Sequence, residues 1–426
     1  MAITKETFRT LIREGQEEIR DVELYPRPFE FEEYGRYVLV GIRQAGKSYM
    51  LYRRAKLFME DGHRLEEMVY IDFDDERLLG VKADDLDLIL QAYGSAYEHK
   101  PILFFDEIQN VDGWEHFARR LANQKYQVFI TGSNAKMLSK DILTILGGRY
   151  IEAKIHPYSF REYLEAQEVH LEKEWQYGKV RLKVQQLFAS YLKWGGFPEL
   201  ILYRNKRHWL NDLYEKILLG DTILRNKVKN EMAIRLVMKR LADNVMQPTS
   251  YNRLANLVKG TGVNTTTSSV IDYIGYAKDA CMLFSLENYA SKFVEKETVK
   301  KHYFIDNGLL SVFLTHGEAA LLENLCAIHL YRMYGNNVYF YNKNIEVDFY
   351  LPELDQAIQI SYSIADEDTR KREVKALLKF HTFQPLKRMV IVTFDEEETI
   401  ETNNGLTIEV IPAWKWLLEE QPIPNE

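Results

Sequence analysis

A chain of 426 residues is too long for one compact core and predicts two or three domains of roughly 100–200 residues each. Hydrophobic residues at 46%, charged residues at 28% and aromatics at 13% exclude a disordered or fibrous chain, and a formal net charge of -8 excludes global attraction to nucleic acid while leaving room for a local basic face. No run approaches the roughly 18 uninterrupted apolar residues of a membrane helix, and the opening stretch MAITKETFRTLIREGQEEIR is charged where a signal peptide is apolar, so the expectation is a cytoplasmic protein with no membrane partner.

The first element that carries chemistry is VLVGIRQAGKSYM, Val38 to Met50. RYVLV reads as a buried strand, and the chain from about Lys47 onward reads as a helix. Between them Gly41, Gly46, Lys47 and Ser48 satisfy the spacing G-x-x-x-x-G-K-[ST]. Glycine is needed where the backbone turns with unusual dihedrals and approaches phosphate oxygens closely. The backbone of Gly41, Ile42, Arg43, Gln44, Ala45, Gly46, Lys47, Ser48 and Tyr49 then forms a cradle of inward amides at the positive end of the helix dipole. The ligand expected there is ATP or ADP, with Lys47 reaching the β- and γ-phosphates and Ser48 ligating Mg2+.

Three further strands follow in order. EMVYIDFDDERLL supplies one from about Met68 to Phe73. PILFFDEIQ is an apolar run ending in two acids, and the carboxyl end of a buried parallel strand is where ligands bind in open α/β sheets. Asp106 is placed there to hold magnesium through its water shell, and Glu107 to orient and deprotonate the attacking water. YQVFITGSNAKML ends in a polar tip where Ser133 and Asn134 either sense the γ-phosphate and position the water or form a turn with a helix N-cap. RYIEAKIHP supplies a last strand, and the five together predict a doubly wound parallel sheet. Arg149, before that last strand, either neutralises charge in the transition state, in cis or from a neighbouring subunit, or caps the preceding helix at the surface.

In this order GIRQAGKS, YIDFDDERL, FFDEIQNVDGWE, VFITGSNAKML, LGGRYIEAKIHPYSFREYL and YLKWGGFPE resemble the prokaryotic AAA+-superfamily ATPases that carry a C-terminal domain of unknown function, over nearly the whole chain. The resemblance implies an α/β P-loop NTPase sheet of the ASCE/AAA type that binds and hydrolyses ATP. The family's loop more often reads G-P-R-R-x-G-K, so Ile42 and Gln44 are departures, at positions whose side chains usually face away from the phosphates.

Residues 1–157 are therefore expected to be the ATPase domain and residues 158–230 a helical lid or connector, with WGGFPE as a helix stop. Residues 231–298 read as helix, glycine turn, helix and strand pair, the order of a winged helix that would present Asn264, Thr265, Thr266 and Ser268 to a groove. Only Lys259 and Lys278 are basic nearby, so a protein contact competes with DNA as its partner. Residues 299–426 read as a restriction-nuclease-like α/β domain. Glu323 and Asp348 fit its acids, but Gln359 and Ser361 stand where an acid and a lysine would assist metal-dependent cleavage, which predicts the fold without the nuclease activity. Cys281 and Cys326, outside any CxxC pair, read as buried thiols. Two functions stand side by side, an Mg-dependent ATPase coupling hydrolysis to domain motion and a nucleotide-gated regulatory or DNA/protein-binding module with negligible turnover; either is open to oligomer formation.

Overall fold

The computed structural model describes residues 3–25, 27–314, 316–402 and 405–419. It divides into two compact units, one holding the chain up to His156 with Asp279–Cys281 and the other Pro157–Lys278 with Met282 onward.

The first unit is built on β1 (Tyr37–Val40), β2 (Met68–Asp72), β3 (Ile102–Asp106), β4 (Val128–Gly132) and β5 (Ile151–Lys154). All pair in parallel, in the order β2-β3-β4-β1-β5. Every residue of β1, β3 and β4 is buried, which is why these strands read as unbroken apolar runs rather than alternating ones. One face of the sheet, carrying Val38, Val40, Val69, Ile71, Leu103, Phe105 and Ile130, packs on the apolar stripe Phe8, Leu11 and Ile12 of the helix Lys5–Asp21 and on Phe117 and Leu121 of the helix Trp114–Asn123. The opposite face is aromatic. Phe104 stacks on Phe129 with ring centroids 5.2 Å apart, and Phe58, from the helix Lys47–Glu60, meets Phe129 edge-on at 5.7 Å. Because β4 lies between β1 and β3, the carboxyl ends of three strands open side by side, and Gly41 N donates to Gly132 O at 3.3 Å.

The second unit contains the stretches expected as connector, winged helix and nuclease-like domain. Its strands are β6 (Thr249–Ser250), β7 (Leu283–Asn288), β8 (Val299–Phe304), β9 (Tyr339–Asn342), β10 (Glu346–Leu351), β11 (Gln356–Ile360), β12 (Arg388–Thr393), β13 (Glu398–Glu401) and β14 (Thr407–Pro412). They form one mixed sheet in the order β13-β14-β12-β11-β10-β9-β7-β8-β6. The antiparallel pair β7 and β8 occupies the place of the expected wing, and parallel pairing of β7 with β9 makes it continuous with the strands that follow. Val347, Ile391 and Val410 pack on Leu377 and Phe380 of the helix Glu367–Phe383.

WGGFPE ends the helix Lys179–Trp194, with Gly195 at φ 76. A Cβ on Gly195 would lie 1.8 Å from Asp306 Oδ1, and one on Gly196 would lie 2.2 Å from Tyr158 O, so both positions exclude any side chain. The buried Asp306 carboxylate accepts from Gly196 N at 2.8 Å and from Gly308 N at 2.7 Å.

Of the set expected to face a groove, Thr265 alone is buried. The helix begins at Thr267, so the residues before it serve its own N-terminus: Thr266 Oγ1 accepts from Ser269 N at 3.0 Å, and Thr265 is buried. Asn264 and Ser268 remain exposed, while Lys278 is half-buried and its ammonium is pushed down to about 8 by burial and by the like charge of Lys300. Cys326 is buried as expected, but Cys281 is only partly so, in a turn residue at φ 54. Among the described residues no helix is long and apolar enough to cross a membrane.

Candidate nucleotide site

The loop between β1 and the helix Lys47–Glu60 is shaped by its glycines. A Cβ on Gly41 would sit 2.0 Å from Ile155 O, so only glycine lets the strand end pass the backbone leaving β5. Gly46 takes φ 93 immediately before the helix, and Gln44 takes φ 62 within the loop. No side chain caps this helix, whose first amides and dipole are thus directed at the loop's concavity. Arg27 fastens the loop from outside, with Nη1 donating to Ala45 O at 3.0 Å and Nη2 to His156 O at 2.8 Å.

Lys47 is buried at the base of this loop. Its Nζ donates to Ile42 O at 3.2 Å and lies 3.3 Å from Glu107 Oε1. Asp106, at the last position of β3, is 2% exposed and densely bonded. Thr131 Oγ1 donates to its Oδ1, Tyr70 OH to its Oδ2 at 2.7 Å, and the Ser48 side chain is a further partner. Burial, and then the adjacent Glu107 charge, push the Asp106 carboxyl up against those hydrogen bonds.

Glu107 adopts a left-handed φ of 49, which turns its side chain back toward β1 and β4. Its amide donates to Thr131 Oγ1 at 3.1 Å, while Oε2 accepts from Ser133 N at 3.2 Å and from Gln109 Nε2. Burial works to raise the Glu107 carboxyl, but Lys47 and these donors outweigh it and hold it below the ordinary glutamate value. It is therefore an anion at neutral pH.

Of the residues singled out from the sequence, Lys47, Ser48, Asp106, Glu107 and Ser133 converge here. Ser133 is buried, 3.4 Å from Gln109 Nε2. Asn134 turns away to cap the short helix after it, accepting from Lys136 N at 2.9 Å. Arg149 is exposed and donates to Gly147 O at 3.0 Å, at the end of the helix Lys140–Leu146. Tyr49 is exposed, and Arg43 extends to Asp74 at 3.8 Å. Two contributors were missed. Asp72 ends β2 in register with Asp106, its carboxyl pushed up to about 7 by burial and by Asp106, and an acid ending the apolar run MVYID was the available signal. Gln109, two positions past Glu107, carries no such signal.

The assembly brings together an ammonium group beside a glycine-shaped loop and a helix N-terminus, a buried acid bonded to hydroxyls, and an ionised carboxylate held by Ser133 N and Gln109 Nε2. Residues 21–164 match the AAA domain family, and residues 185–319 match a domain of unknown function. An uncharacterized protein of Methanocaldococcus jannaschii is 31% identical over 417 residues, covering 94% of this chain and 90% of that one. An uncharacterized protein of Haemophilus influenzae is 30% identical over 393 residues, covering 90% and 94%. A Walker-type ATPase of Pyrococcus abyssi of known structure shares 14% identity, covering 73% of this chain and 96% of that one, with a TM-score of 0.44. The chain belongs to the same family as the M. jannaschii and H. influenzae proteins, and its residues 21–164 are a P-loop AAA-type ATPase domain.

Proposed function

We propose that the protein is an Mg-dependent ATPase that couples hydrolysis to domain motion. The observation that carries this reading is the convergence of Lys47, Asp106 and Glu107 at the open ends of β1 and β3, with Lys47 Nζ 3.3 Å from Glu107 Oε1. Lys47 binds the β- and γ-phosphates and orients them along the loop amides. Ser48 and Asp106, a hydroxyl and a carboxylate bonded to each other, are oxygen donors of the kind magnesium takes, and would hold it together with phosphate and water. Magnesium supplies neutralisation of phosphate charge when bound. Glu107, released from Lys47 as phosphate oxygens replace it, takes the proton of the water that attacks the γ-phosphorus while the bond to the β–γ bridging oxygen breaks and ADP leaves; Ser133 and Gln109 fix the orientation of Glu107.

The same ion pair favours a second reading. A base tied to Lys47 is withdrawn from catalysis until nucleotide arrives, as a gated switch with negligible turnover requires. Steady phosphate release, measured with and without DNA, separates the two. Sustained, magnesium-dependent release supports the ATPase; one tightly bound ATP per chain with no release supports the switch.

A further inference from the structure

The second unit has a buried charge cluster of its own. Lys301, on β8, is 0% exposed. Its Nζ lies 3.1 Å from Glu323 Oε1, 3.3 Å from Asp348 Oδ1 and 3.6 Å from Glu346 Oε1. Glu323 comes from the helix Glu318–Tyr334, and Glu346 and Asp348 point from one face of β10 because they are two residues apart on a strand. The ammonium donates to Glu323 and Asp348, while Glu346, farther off and partly exposed, adds its charge without a hydrogen bond.

Other donors of the protein also reach these carboxylates. Tyr303 OH donates to Glu323 Oε1 at 2.7 Å, and Ile360 N to Asp348 Oδ2 at 2.9 Å. Gln359 Oε1 accepts from Asp348 N at 2.8 Å, and its Nε2 donates to Glu373 Oε2 at 2.7 Å. Ser361 Oγ is turned to Ser363 O at 2.8 Å. Glu323, Asp348 and Gln359, the positions the sequence marks as nuclease-like, are thus together, and the lysine missing from position 361 is answered by one from a strand 47 residues before Asp348.

Carboxylates converging from a helix and a strand in a buried place require a cation, and metal-dependent phosphodiester cleavage uses a divalent one there. We propose that Lys301 is a built-in cation, its ammonium occupying the place between Glu323 and Asp348 that a divalent ion would need, so that the site is closed to metal and to phosphodiester hydrolysis. Burial alone would lower the Lys301 ammonium, but Glu323, Asp348 and Glu346 hold it above the ordinary lysine value, so it stays charged.

Mn2+ binding to the nucleotide-free full chain, counted by electron paramagnetic resonance, tests this directly. Asp348→Asn should bind as many ions as the native chain. Lys301→Ala should gain one ion, and Lys301→Ala combined with Asp348→Asn should lose that gain. The proposal is overturned if Asp348→Asn alone loses an ion, if Mn2+ supports plasmid cleavage that Asp348→Asn abolishes, or if folded Lys301→Ala gains nothing. A Lys301→Ala chain that folds neither with nor without Mn2+ also counts against it, because the metal should then replace the missing ammonium.

Discussion

Lys47 and Glu107 neutralise each other inside the first unit, and each substitution there has its own signature. On the proposed role, Lys47→Ala removes the phosphate cation and leaves the partly buried Glu107 without its counter-charge, so ATP affinity should fall at least about 100-fold, roughly 3 kcal/mol, in a calorimetric titration. Glu107→Gln keeps the volume and the contacts to Gln109 and Ser133 but cannot take a proton. Phosphate release should drop about 10²–10⁴-fold while ATP stays bound, and turnover at the native rate would remove Glu107 from the role of base. The places of Lys47 and Glu107 were legible because one opens the helix after a glycine loop and the other follows an apolar strand. Gln109 was not, because its task depends on the left-handed turn at Glu107, which no composition announces.

The helix Lys179–Trp194 and its stop show what an element owes to distant chain. That the helix ends at WGGF was readable from glycine and proline, but the carboxylate that needs the bare Gly196 amide is 110 residues away. Gly196→Ala would press a methyl group into Tyr158 O and should destabilise the second unit by about 3 kcal/mol, read as a lowered urea midpoint. Asp306 adds a pH dependence. Burial raises its carboxyl from the ordinary 3.8 to about 6, against the pull of the Gly196 and Gly308 amides. The folded state then holds the proton more tightly than the unfolded chain. This carboxyl therefore contributes stability that is fully present below about pH 4 and is lost as pH rises through 6, a swing of about 3 kcal/mol. Asp306→Asn should flatten that component of the stability profile between pH 4 and 6.

Across the molecule, the parallel sheet of the first unit was anticipated strand by strand because buried parallel strands announce themselves in sequence. The nine-stranded sheet of the second unit was not, since pairing such as β7 with β9 joins segments far apart in the chain, and apolar runs carry no record of their neighbours. Lys301 was missed for the same reason: it reaches Glu323 and Asp348 only once β8, β10 and the helix Glu318–Tyr334 are assembled. ATP with magnesium at 100 times its dissociation constant should stabilise the first unit by about 2.7 kcal/mol, visible as a raised melting transition that Lys47→Ala abolishes. With Lys278 half-buried and Lys259 the other basic residue near it, the stretch expected as a winged helix should bind duplex DNA weakly and lose it early in a salt titration.

The guanidinium of Arg27 grips two carbonyls at once, Ala45 in the phosphate loop and His156 at the last residue of the first unit before Pro157. A planar group bonded at both ends behaves as a short rigid strut. The loop and the last residue before Pro157 thus share one side chain, and neither can shift far without breaking one of its two hydrogen bonds.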